Sequence, residues 1–171
     1  MIIRRFFSLF LSFSFLFFGY GCKKGLSYDL SYTQKSFCAQ VEGNQFGLDF
    51  CCDIYCEEGK PTKIVYSSPN ALKDVTICRL SNGSFLIQKD SLSNSLSQDS
   101  AMSFGLLLPA RRLLLEGVTR SSVNSVQKLS NGFLLTATPP NEGQSISVLL
   151  GNDGFPSVIS GENFSYRVRI R

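Results

Sequence analysis

Residues Gly47–Glu57 alternate strictly. Leu48, Phe50, Cys52, Ile54 and Cys56 fall on one side of an extended chain, and Asp49, Cys51, Asp53, Tyr55 and Glu57 on the other. A period of two over this length describes a strand with one face in a core and the other in water. The same texture recurs in Ser36–Glu42, where Phe37, Ala39 and Val41 oppose Cys38, Gln40 and Glu42. It returns at the end of the chain, where Phe164, Tyr166, Val168 and Ile170 oppose Arg167, Arg169 and Arg171. Such half-buried strands pair antiparallel.

Turn chemistry punctuates the rest. Glu58-Gly59-Lys60-Pro61 precedes a strand over Thr62–Ser67, which Pro69 ends because proline cannot sit inside a central ladder. Ser81-Asn82-Gly83 joins Val75–Leu80 to Ser84–Lys89, and Ser130-Asn131-Gly132 joins Val126–Leu129 to Phe133–Thr138. Asn-Gly is a strong hairpin signal. Ser145–Leu150 continues through Gly151-Asn152-Asp153-Gly154 into Phe155–Ile159. The middle of the chain differs. Asp90–Ser100 is polar and serine-rich and reads as a loop. AMSFGLLLPARRLLLEG then reads as helix, capped by Asp99 or Ser100 and ended by Gly117. Phe104, Leu107 and Leu108 share a face, and Pro109 should divide the segment into two short helices, the second carrying Leu113 to Leu115. About nine strands with one helical insertion near 99–117 make an α+β domain.

The first twenty-two residues carry an address. Arg4 and Arg5 precede an apolar run, Phe6–Phe18, and then Gly19-Tyr20-Gly21-Cys22. A basic start, an apolar stretch of about 7–15 residues and small residues before a break mark a secretory signal peptide. The run is shorter than the ~20 residues that span a bilayer. Gly21-Cys22 fits the lipoprotein variant, in which Cys22 becomes the lipidated amino terminus. Gly19-x-Gly21 also fits ordinary signal peptidase, which would leave a secreted chain with a terminal thiol. The expected organisation is a signal peptide over 1–21, a lipidated tether over 22–35, and one domain over 36–171. The expected location is the extracytoplasmic face of the cell membrane.

Removing 21 residues from 171 leaves 150, the size of one domain. Two arginines and no acid leave with the signal. The excess of 17 Lys+Arg over 13 Asp+Glu therefore falls from four to two, and no basic stripe argues for nucleic acid. Lys23 and Lys24 would sit at the membrane surface, as a solvated tether or against anionic headgroups. The chain has no His and no Trp. Histidine-activated nucleophiles and His-based zinc sites are thereby excluded within the chain. There is no G-x-S-x-G elbow, no P-loop and no dinucleotide fingerprint. The reading is of a protein that is not an enzyme and takes no cofactor.

Six cysteines include Cys22, leaving Cys38, Cys51, Cys52, Cys56 and Cys78. Cys51 and Cys52 point to opposite faces of a strand and no C-x-x-C knuckle is present, so no metal site is expected. Cys52 and Cys56, among Phe50 and Ile54, read as small buried hydrophobes. If Gly43–Phe46 is a four-residue loop, Ala39 faces Phe50, and Cys38 faces Cys51 on the outer face. That register places the two thiols side by side and makes a Cys38–Cys51 disulfide feasible.

Phe37-Cys38-Ala39-Gln40-Val41, Thr62-Lys63-Ile64-Val65-Tyr66-Ser67-Ser68-Pro69 with Leu72, the leucines at 106–108 and 113–115, and Gly154-Phe155-Pro156 occur in this order. This layout resembles the LolA/LolB-like half-barrel proteins of the bacterial cell envelope, in particular small lipoproteins of anaerobic Gram-positive bacteria. The resemblance implies a strongly curved antiparallel sheet, an incomplete barrel, whose open side is closed by helix. It fixes no ligand-contacting residue. Two functions follow as expectations. In the first, the half-barrel holds an apolar ligand such as a lipid acyl chain, against Phe50, Ile54, Ile64, Ile77, Phe85 and Ile87 on strands. Leu107, Leu108 and Leu114 would close it from the helix. In the second, the same residues fill a core and the domain is a surface interaction or regulatory module, with an unidentified protein partner.

Overall fold

The computed structural model describes residues 28, 30–58, 62–80, 82–97, 100, 105–140 and 143–171. The expected signal, Cys22, Lys23-Lys24 and Phe104 lie outside the described residues.

Eleven strands form one antiparallel sheet. The first six are β1 (Phe37–Gln45), β2 (Leu48–Cys56), β3 (Lys63–Ser68), β4 (Thr76–Arg79), β5 (Phe85–Lys89) and β6 (Leu92–Leu96). The other five are β7 (Val123–Leu129), β8 (Gly132–Ala137), β9 (Ile146–Gly151), β10 (Pro156–Gly161) and β11 (Phe164–Ile170). The order is β6-β5-β4-β3-β2-β1-β11-β10-β9-β8-β7. Two meanders are thus joined edge to edge by the first and last strands, from Ala39 opposite Ile170 to Gln45 opposite Phe164. The sheet is curved and not closed. Its two outer strands, β6 and β7, are consecutive in the chain but lie at opposite edges. The connection between them therefore has to travel from one edge to the other. It carries α1 (Leu108–Leu113) and a short 3-10 turn at Arg120–Ser122.

The inner face is where alternation put it. Ala39, Val41, Cys52, Ile54, Ile64, Ile77, Leu135, Val148, Leu150 and Ile159 are all buried, and Leu107, Ala110, Leu113 and Leu115 of the crossing segment join the same core. The outer face carries charge: Glu42 meets Arg167 at 3.3 Å and Arg169 at 3.1 Å, and Asp53 meets Arg171 at 3.1 Å. These are exposed pairs, worth about 0–1 kcal/mol each.

Four expectations need correction. First, β1 and β2 are joined by a two-residue turn, Phe46-Gly47, with φ of 50° and 81°. Val41 consequently faces Cys52, Cys38 faces Tyr55, and Cys51 faces Glu42. Cys38 and Cys51 are not neighbours, and both are free thiols. Gly43, taken as the start of the loop, lies inside β1. The four-residue shift keeps every side chain on its expected face, because it is an even number. Second, the polar stretch after Lys89 contains β6, which pairs with β5 from Phe85 opposite Leu96 to Lys89 opposite Leu92. Third, Pro109 occupies the first turn of α1, and the non-helical residues lie just before it, at Gly105–Leu107. Its missing N–H is one that a first turn leaves unsatisfied anyway. Fourth, the fold begins before Ser36. A 3-10 turn spans Ser31–Gln34, and its Tyr32 is 2% exposed within the core.

Candidate functional site

The inner face is apolar but for a few polar side chains, and these fasten the crossing segment. Tyr66 on β3 donates its hydroxyl to the Leu106 carbonyl at 2.6 Å. Gln45, the last residue of β1, donates its amide to the Gly105 carbonyl at 3.0 Å and accepts the Tyr166 hydroxyl at 2.6 Å. Tyr32 donates to the Leu113 carbonyl at 2.7 Å. Leu113 ends α1, where carbonyls lack an intrahelical donor, and a buried carbonyl without a donor costs about 1–3 kcal/mol. Tyr32 and Tyr66 donate to carbonyls of the segment directly, and Tyr166 holds Gln45, which does the same. Burial pushes each phenol well above its ordinary range, so each stays a neutral donor. On the far side of α1, the Arg112 guanidinium lies 4.9 Å from the centre of the Phe164 ring.

Among the described residues, two pockets border the segment. The first, of about 100 Å³, has Ile64, Ile77 and Phe85 as its sheet wall and Leu107, Ala110 and Leu114 as its helical wall. Thr62, Arg79, Arg111 and Glu116 complete it. Glu116 accepts from Arg79 Nη1 at 3.3 Å and from Arg111 Nε at 3.3 Å. The second, of about 290 Å³, lies by the β1–β2 turn between Phe46, Leu48 and Phe50 on one side and Leu72, Gly105 and Leu106 on the other.

Of the nine residues expected to line a half-barrel cavity, the first pocket gathers Ile64, Ile77, Phe85, Leu107 and Leu114. Phe50 lines the second. Ile54 is fully buried in the core, and Ile87 packs against it half-buried. Leu108 is half-buried at the start of α1 and lines neither pocket. The sequence reading missed Arg79, Arg111 and Glu116. They come from two separate segments, and only the fold brings them to one rim. It also missed Gln45, whose place on the inner face follows from the parity of β1 once its true length is known.

The five described cysteines are free thiols. Cys52 and Cys56 are buried among the core residues, and burial raises both thiols, Cys56 to about 11. Neither supplies a thiolate at neutral pH. Among the described residues no group of three or more His, Cys, Asp or Glu side chains could hold a metal ion.

An open, curved antiparallel sheet with a helical segment against its inner face is a half-barrel, the architecture that the sequence resemblance implied. Comparison with solved structures bears on the fold alone. An uncharacterized conserved protein from Thermus thermophilus superposes with a TM-score of 0.55 at 8% identity, over 82% of this chain and 80% of that one. MucB superposes with a TM-score of 0.52 at 12% identity, over 83% of this chain and 55% of its own, so the chain spans about half the length of MucB. A LolA superfamily protein, NE2245 from Nitrosomonas europaea, matches at a TM-score of 0.37 and 9% identity, over 81% of this chain and 84% of that one. No family model matches the sequence, and no curated protein does.

Proposed function

We propose that the protein is a non-enzymatic, extracytoplasmic lipoprotein that holds the apolar end of a ligand between α1 and strands β3–β5. The observation that supports this is the first pocket. Ile64, Ile77 and Phe85 give it an apolar floor, and its helical wall belongs to a segment held to the inner face by core packing and by side-chain hydrogen bonds. A cavity of about 150 Å³ accepts a molecule the size of benzene. At about 100 Å³ the pocket admits a chain end, and a longer chain requires the crossing segment to lift.

Substituting Leu114 by tryptophan would fill the pocket from its half-buried rim. Binding of a fluorescent long-chain probe to the mature protein is expected to fall at least about tenfold, which is ~1.4 kcal/mol, with little change in thermal stability. Unchanged probe binding in Leu114→Trp would remove the pocket from the function.

Anchoring through Cys22 belongs to the same reading. Two acyl chains hold a protein on a bilayer where one does not. Cys22→Ser is expected to release the protein from the membrane fraction of its host. Retention in that fraction would refute the anchor.

Phe46 and Leu48, 67% and 72% exposed beside the second pocket, favour a second reading as a docking module for a protein partner. Under that reading Leu114→Trp leaves function intact, while Phe46→Ser abolishes it.

A further inference from the structure

Glu116 divides its carboxylate at the mouth of the first pocket. Oε1 lies 3.3 Å from Arg79 Nη1, and Oε2 lies 3.3 Å from Arg111 Nε. Arg79 ends β4 in the sheet wall, and Arg111 belongs to α1 in the helical wall. One carboxylate thus bridges the two walls, with an apolar floor of Ile64, Ile77 and Phe85 below it. The side chains of Arg79, Glu116 and Arg111 are 43%, 36% and 24% exposed. Ion pairs so open to water contribute little to stability. Exchanging this carboxylate for another therefore costs the fold little and leaves the charge at the seat unchanged.

We propose that Glu116 occupies the headgroup seat of a single-tailed fatty carboxylate. On binding, the carboxylate of the ligand takes the place of Glu116 between Arg79 and Arg111. Glu116 turns out to water, and the tail enters the pocket. The class of ligand follows from the seat and the pocket below it. The seat is built for one carboxylate with an oxygen for each guanidinium. A pocket of about 100 Å³ has room for the end of one chain, not two. This inference rests on the reading of the pocket as an apolar ligand site and specifies what enters it.

The test is a fluorescence titration of the full mature chain with parinaric acid and with its methyl ester. The acid is expected to bind at least about tenfold more tightly. Glu116→Gln removes the internal competitor and is expected to tighten the acid about two- to fivefold, leaving the ester unchanged. Arg79→Gln is expected to weaken the acid selectively. Thermal unfolding of each variant verifies folding, and the acid–ester comparison on the unaltered protein needs no variant. Equal binding of acid and ester overturns the headgroup seat while leaving the pocket reading in place. Absence of binding by either overturns the pocket reading itself. Weaker acid binding in Glu116→Gln makes Glu116 a structural latch and overturns the exchange. In a parallel competition, dodecanoate is expected to displace the acid more effectively than dodecyl phosphate, and the reverse order would overturn the carboxylate assignment.

Discussion

Valine in place of Gly43 is expected to destabilise the protein by about 3 kcal/mol or more, toward or beyond the upper end of overpacking costs. Gly43 lies on β1 at the seam between the two meanders, opposite Phe50 on β2 and Tyr166 on β11. A Cβ there would lie 2.0 Å from the Ser165 carbonyl oxygen, 2.9 Å from the Tyr166 Cα and 3.0 Å from the Ser165 carbonyl carbon. All three are backbone atoms of the paired strand, so no rotamer change relieves the clash. Only separation of β1 from β11 does. A glycine inside a strand commonly marks such a close approach. The space without a side chain is used: the Phe50 and Tyr166 rings meet edge to face, 5.2 Å apart, from the strands on either side of it. Urea unfolding followed by circular dichroism measures the effect, with Gly47→Ala as a control. At Gly47 an added Cβ meets nothing within 4 Å, and the only cost is its φ of +81°. A Gly43→Val protein within about 0.5 kcal/mol of the original, the range of ordinary surface substitutions, would show that the seam does not need its glycine.

The face of each strand was legible in the sequence, and the register was not, for a single reason. Alternation repeats every two residues, so a pairing displaced by four buries the same side chains. Only the turn separates the two solutions, and the turn was disguised. Gly43 and Asn44 look like turn residues but continue β1, while the true turn places Phe46 at φ 50°, where bulky side chains are rare. Strand β6, Leu-Ser-Asn-Ser-Leu, meets the core only at Leu96: Leu92 through Ser95 are exposed, so its composition resembles a loop. The rest of it pairs through its backbone, and backbone leaves no mark in a hydropathy pattern. The apolar wall of the pocket was legible because Ile64, Ile77, Phe85, Leu107 and Leu114 repeat at strand or helix spacing. Its charged rim was not. Arg79 and Glu116 are far apart in the chain, and nothing in either neighbourhood signals the other.

Tyr32 was hidden differently, as one of two tyrosines in a polar stretch that reads as a tether. Its replacement by alanine is expected to cost about 3–5 kcal/mol, as for other large buried aromatics. The ring packs 6.1 Å from Phe37 and 5.5 Å from Phe155, and those two lie 5.7 Å from one another. This trio fastens the segment before β1 to the loop before β10. The hydroxyl adds a second, separable contribution through the carbonyl of Leu113, the last residue of α1, which is itself fully buried. Tyr32→Phe keeps the ring and removes only the donor, and should cost about 1–3 kcal/mol, the desolvation of an unpaired buried carbonyl. The two variants therefore divide packing from hydrogen bonding at one position. A chain shortened to begin at Ser36 loses both, and is expected to be no more stable than Tyr32→Ala when unfolded by urea. A shortened chain as stable as the full one would return residues 30–35 to the role of a tether and leave the crossing segment held to the sheet by Gln45 and Tyr66 alone among these hydrogen bonds.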